Sequence, residues 1–102
     1  MLARSFVWSF PLILLTSWSV QAQKLGDPAA GQRLAETSCM ECHSPANVPP
    51  RAPAFSAIAA MPSTTALSLG VFLRTSHPSM PNFELSSSER DDVIAYILSL
   101  RR

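Results

Sequence analysis

The apolar residues of this chain change their spacing several times along its length. Between Phe6 and Val20 they are nearly continuous, interrupted by Ser9, Pro11, Thr16, Ser17 and Ser19. Near the other end Val93, Tyr96, Ile97 and Leu100 recur at intervals of three and four, which predicts one face of an amphipathic helix. Ser86-Ser87-Ser88-Glu89 marks its start: Ser86 can cap the first turn, and Glu89 can return the bond to the Ser86 backbone. Glu89, Asp91 and Asp92 occupy the opening turns and Arg101-Arg102 the end, both favourable for the helix dipole. A second helix is predicted over Asp27-Pro28-Ala29-Ala30-Gly31-Gln32-Arg33-Leu34-Ala35-Glu36-Thr37-Ser38. Asp27 is its N-cap, and Pro28 stands at the first helical position, where a missing N–H costs nothing. A third helix is expected from Thr64 to Leu73, with Leu67, Leu69, Phe72 and Leu73 turned inward. A Pro-rich loop, Ser44 to Pro53, and the short piece Phe55 to Ala60 lie between. No strand-like alternation, repeat or second domain is visible. The chain reads as all-α, three to four short helices with long loops.

The leading segment has a different character. One early cation, Arg4, precedes the apolar stretch, which ends at Val20-Gln21-Ala22, with small residues where a secretory signal peptidase requires them. Residues 1–22 are therefore expected to be a cleaved signal peptide and residues 23–102 the mature domain, exported to the periplasm. The alternative is an uncleaved anchor, although the interrupted stretch makes a poor membrane span. No cysteine near the cleavage point could carry a lipid.

Cleavage changes the charge. The whole chain has eight Lys or Arg against seven Asp or Glu, so losing Arg4 leaves the mature domain formally neutral. Its one lysine is Lys24, and its arginines are scattered. Nothing resembles the basic run that binds a phosphate backbone, so nucleic acid is not an expected partner. An apolar core of this size contributes only a few kcal/mol, and such domains usually carry a staple.

The two cysteines, Cys39 and Cys42, are followed at once by His43. A disulfide across two residues would close a tiny loop and stabilise little. A thioredoxin-type Cys-x-x-Cys needs strand–helix–strand patterning, which is lacking. Zinc needs four ligands, and His77 and the carboxylates show no ligand spacing. Cys-x-x-Cys-His is, by contrast, the specific signature of covalent haem attachment. Two thiols reach two vinyl groups on one porphyrin edge, and the turn joining them aims an imidazole at the iron.

With Cys39-Met40-Glu41-Cys42-His43 between the glycine-bearing helix and the capped last helix, the mature chain resembles the class I cytochromes c from about Asp27 to Arg101. The resemblance implies a cytochrome c-like fold wrapped round one covalent haem c. In that family the first and last helices cross at a glycine such as Gly31, with an aromatic at the position of Tyr96 as its partner. It also implies an axial methionine on a stiff loop. His77-Pro78-Ser79-Met80-Pro81-Asn82-Phe83 is similar to that loop, and its prolines predict a rigid, extended segment. Met80 is thus the expected iron ligand opposite His43. His77 is the rival; Met61 is expected to pack, and Met40 lies inside the attachment turn. The family also uses a proline carbonyl to hold the proximal histidine; Pro53 is the candidate here, with Pro49 and Pro50 competing. Many relatives place a tryptophan near a propionate, whereas this mature chain has none. Arg51, Arg74 and Asn82 are candidates for that task.

The function implied is one-electron transfer by a periplasmic carrier with His/Met ligation, not catalysis. Its partners would be a dehydrogenase, oxidase or reductase docking at the haem edge near the attachment turn and the Met80 loop. With so few lysines, apolar contact should dominate, and the carrier is expected to be a monomer without stable membrane insertion. Two alternatives stand beside it. One is a dedicated cytochrome subunit of a larger redox enzyme. The other is a haem enzyme or ligand-binding protein with an open sixth position, although no arginine–histidine pair suited to peroxide cleavage is evident.

The export reading has a direct check. Intact-mass analysis of protein from native extract should give a chain beginning at Gln23 or within a residue or two, nearly devoid of tryptophan fluorescence because Trp8 and Trp18 are gone. Either tryptophan in the purified protein would support the anchor.

Overall fold

The computed structural model describes residue 2 and residues 26–102. The signal-peptide expectation for residues 1–22 therefore falls outside the described residues, apart from the isolated Leu2. Among the described residues there are five helices and no extended strand: α1 Pro28–Ser38, α2 Met40–His43, α3 Phe55–Ala60, α4 Ala66–Phe72 and α5 Ser87–Ser99. The expected three to four helices become five because a single turn, α2, follows α1 across Cys39, and because Phe55–Ala60 is helical. None of these helices is long and apolar enough to cross a membrane.

Local chemistry explains each boundary. Asp27 accepts the Ala29 N–H at 3.0 Å, and Pro28 opens α1. Ser86 and Glu89 form the reciprocal capping box at the head of α5. The α4 helix starts two residues later than expected, at Ala66, as its N-cap is Thr65, whose hydroxyl takes the Ser68 N–H while Ser68 Oγ takes the Thr65 N–H. Thr64 is instead buried, with its hydroxyl donating to the Ile58 carbonyl at 2.7 Å.

That register decides which face of α4 is inward. Leu69 and Gly70 are buried, and Ala66 and Leu73 pack on the same core. Leu67 is 79% exposed and, like Val71 one turn on, stands outside the core cluster, so of the haem or the helices that it is expected to face it does not pack on the helices. Met61, expected to pack, caps the end of α3 and is also exposed.

The fold is held by the crossing of α1 and α5. A Cβ at Gly31 would overlap the backbone carbonyl of Asp92 and lie 2.9 Å from Tyr96 Cβ. The backbone of Asp92, rather than the ring of Tyr96, is thus the main body against which Gly31 rests. Gly26 makes a similar approach, to the peptide joining Asp91 and Asp92. The same aspartate fastens the crossing electrostatically, its Oδ1 accepting the Asp27 N–H at 2.7 Å. A carboxylate there also complements the positive end of the α1 dipole.

Behind the crossing lies a small core. The buried apolar residues are Ala35, Phe55, Ala59, Leu69, Val93, Ile94, Ala95 and Ile97, of which three are alanine. So little large apolar volume leaves the domain short of the stability that residues 26–102 would otherwise need. Arg101 was expected to serve the α5 dipole. Instead α5 ends at Ser99, and Arg101 turns away to donate to the carbonyls of Ala59 and Thr64, joining the chain end to the α3–α4 connection.

The crossing makes a quantitative claim. Glycine inside a helix costs about 1 kcal/mol against alanine, but any Cβ at position 31 meets backbone, which cannot move aside cheaply. Gly31→Ala and Gly31→Val should both lose about 2–4 kcal/mol in denaturant unfolding followed by far-UV circular dichroism. Gly70→Ala is the control. Its Cβ would meet Ile94 Cδ1 at 3.9 Å, an ordinary contact. It should be neutral or stabilising by up to about 1 kcal/mol.

Candidate functional site

The attachment motif sits where α1 ends. Cys39 is both the C-cap of α1, its N–H reaching the Ala35 carbonyl at 2.8 Å, and the N-cap of α2. The Cys39 carbonyl then accepts the N–H groups of Cys42 (3.2 Å) and His43 (3.0 Å), winding the motif into one turn. Both thiols are free and half-buried. Burial pushes the Cys39 thiol up from its ordinary value, so the site favours an uncharged sulfur there. A thioether, which carries no charge, suits such a position.

The loop 44–54 folds back over this turn. His43 Nδ1 lies 2.6 Å from the Pro53 carbonyl oxygen. A carbonyl can only accept, so Nδ1 carries the proton and Nε2 keeps its lone pair. That is the tautomer a metal requires, and the carbonyl also steadies the ring. The other face of the loop is tied by Asn47, whose Nδ2 donates to the carbonyls of Glu41 (3.1 Å) and Cys42 (3.2 Å). Sequence reasoning missed Asn47; the orphan carbonyls that end every helix are the signal that pointed to such a partner. Phe55 backs the imidazole at a centroid distance of 4.9 Å and meets Tyr96 edge-on at 6.2 Å, so the ring rests on the core.

The second ligand candidates lie beyond α4. The segment expected to be extended is instead a tight turn. The Met80 N–H reaches the His77 carbonyl at 3.4 Å, and Ser79 adopts a positive φ of 69°. Proline second and a left-handed residue third is the pattern of a type II turn. Met80 is half-buried at its end. His77 Nε2 is already engaged, 3.0 Å from Thr75 Oγ1 and 3.2 Å from the Phe72 carbonyl.

The candidates for propionate contacts are otherwise occupied or unpartnered. Arg51 pairs with Glu41 at 3.6 Å on the surface, where screening leaves such a pair little effect on stability. Asn82 Nδ2 donates to Ser76 Oγ at 3.2 Å.

Covalent haem fits these residues. Two free thiols flank one turn, an imidazole is held with its free nitrogen bare, and a thioether stands on a stiff turn. Phe72 and Phe83, 43% and 41% exposed, add aromatic surface on either side of that turn in sequence. A large apolar group is also what the small core calls for.

A family profile described as "Cytochrome C oxidase, cbb3-type, subunit III" matches residues 26–97. The chain is similar to the protein named Cytochrome c-552 of Bradyrhizobium diazoefficiens. The two are 37% identical over 94 residues, which cover 88% of this chain and 90% of that protein. No solved structure matches the chain.

The donor set yields a prediction. Replacing Cys39 and Cys42 together by alanine should abolish covalent pigment and leave the chain unfolded or degraded in the cell. Haem-stained denaturing gels and extraction with acidified organic solvent read this out. A double variant that folds and retains its pigment would mean that the thiols do not carry it.

Proposed function

The chain belongs to the c-type cytochromes, electron-transfer proteins with covalently bound haem c rather than enzymes, and from that premise we propose an exported one-electron carrier of the periplasm. In this reading Cys39 and Cys42 hold a single haem, and His43 and Met80 are its axial ligands. When bound, the haem supplies a reversible ferric–ferrous couple. The rest is the work of the chain.

The observation that carries the proposal is the His43–Pro53 hydrogen bond next to two free thiols. It keeps one imidazole nitrogen bare and the ring fixed, so the ligand geometry does not reorganise as charge changes. Met80 as the second ligand is supported by the tight turn that presents it. His77 is a weaker candidate because its Nε2 already has two partners. An imidazole–thioether pair favours ferrous iron and raises the potential relative to two imidazoles. Asn47 and Phe55 position the attachment turn from either side, and the α1–α5 crossing positions α1.

Redox proteins are the partners of a c-type cytochrome. Docking near the attachment turn would be small and brief, as fast transfer requires. Val48, Met61, Phe72 and Phe83 are exposed apolar side chains, consistent with contact that depends little on charge. The family's description as an oxidase subunit favours a second reading, in which the domain serves one enzyme complex. The small relative, spanned over 90% of its length, supports a free carrier instead. Pull-down from native membranes under mild detergent separates the two.

Ferric wild-type protein should show the weak red charge-transfer band of thioether–iron ligation, and Met80→Ala should remove it. The same variant should have a lower potential and should admit carbon monoxide or cyanide. If Met80→Ala leaves the axial spectrum unchanged while His77→Ala or Met61→Ala alters it, the ligand is a different residue. Ready binding of carbon monoxide by the ferrous wild type would favour an open site over a carrier.

A further inference from the structure

The turn that presents Met80 is fastened to α4 through one side chain that the proposed function leaves without a role. The imidazole of His77 lies flat on Phe72, with centroids 3.5 Å apart and planes 9° from parallel. Its Nε2 approaches Thr75 Oγ1 at 3.0 Å and the Phe72 carbonyl at 3.2 Å, while Thr75 Oγ1 also approaches the carbonyls of Val71 (3.1 Å) and Phe72 (3.2 Å).

The protons in this cluster can be assigned. Thr75 has one hydroxyl proton, and the carbonyls have none. A bare Nε2 would face the Phe72 oxygen lone pair to lone pair. With the proton on Nε2, His77 shares it between the Phe72 carbonyl and Thr75 Oγ1, and Thr75 donates to Val71. His77 and Thr75 thus add side-chain bonds at the C-terminal end of α4, where the Val71 and Phe72 carbonyls also accept the Arg74 and Thr75 N–H groups, each at 3.2 Å.

The backbone of the same residue begins the ligand turn. His77 pairs with Met80 in an isolated bridge, and Pro78 stiffens the second position. Ser79 follows in the left-handed region, unfavourable for a residue with a side chain. Such a conformation persists only where its surroundings hold it. On one side of the turn that support is the His77 stack; on the other it is the Asn82–Ser76 bond.

We propose that His77 is a positioning residue: held on Phe72 and bonded to the end of α4, it clamps the 77–80 turn and so governs how readily Met80 leaves the iron. The inference rests on Met80 being the axial ligand. It concerns the lifetime of that bond rather than its existence.

The test uses purified holoprotein and three variants: His77→Ala; His77→Phe, which keeps a ring on Phe72 but no hydrogen bonds; and Thr75→Val, which removes the hydroxyl and leaves His77 in place. Two quantities are measured on each. One is the temperature at which the red thioether band is lost, compared with global unfolding by far-UV circular dichroism. The other is the rate of cyanide binding to ferric protein, which requires Met80 to depart. In His77→Ala the band should persist at ambient temperature yet vanish well before global unfolding, and cyanide should bind about tenfold faster or more. His77→Phe and Thr75→Val should fall between it and wild type. Should His77→Ala fail to fold, the other two carry the test. If band loss tracks global unfolding in every variant and cyanide rates match wild type, the clamp is wrong while the Met80 reading stands. A wild-type protein without the band overturns the Met80 reading and the clamp with it.

Discussion

The approach of α1 to α5 at Gly31 is the constraint from which the rest of the structure follows. Two backbones meet there with no side chain between them, Gly31 against the Asp92 carbonyl, and the Asp92 carboxylate holds the Asp27 N–H beside it. A helix crossing without intervening atoms has one register, because sliding by a residue would drive a Cβ into backbone. That register sets where α1 ends, hence where Cys39 and the turn through His43 begin. It also sets the side of α5 on which Val93 and Ile97 receive Phe55, the aromatic that supports the His43 ring.

Against this rigid pair, several of the candidate site residues sit on connections. The loop 44–54 contributes the Pro53 carbonyl and the Asn47 amide, and the 77–80 turn contributes Met80. Such segments would be poorly ordered if nothing tied them down. Here each is tied through carbonyls at helix ends: Asn47 takes those at the end of α2, His77 and Thr75 share those at the end of α4 with the backbone, and Arg101 takes the Ala59 carbonyl at the end of α3. The acceptors at the ends of short helices thereby become the attachment points of the loops. Short helices suit such a domain for that reason, since each additional end offers more acceptors.

Much of this was legible in the sequence. Asp27-Pro28 and Ser86 through Glu89 are caps whose chemistry is local, so they could be read without tertiary information, and the structure has both. The stripe of Val93, Tyr96, Ile97 and Leu100 likewise follows from helical period. Pro53 was one of three prolines in the loop, and only the folded loop brings its carbonyl, within hydrogen-bond distance, to His43 Nδ1. The misreadings share a cause. The periodic pattern starts α4 at Thr64, whereas the Thr65 capping box moves the start to Ala66. Arg101 was given to the helix dipole because the pattern shows charge but not the carbonyls two helices away. The 77–83 segment was read as extended from its prolines, although Pro78 followed by a left-handed Ser79 bends it. In each case a contact distant in sequence, or a cap one residue along, outweighed a local preference.

The separation of the two crossing partners carries a consequence for biosynthesis. Asp27 and Asp92 are 65 positions apart, and α5 is the last helix of the chain. During translation α1 has no seat until residues 91–97 have been made. The attachment turn, at the foot of α1, is made early and buttressed last. Throughout that interval Cys39 and Cys42, half-buried in the finished fold, stand on an unclosed chain.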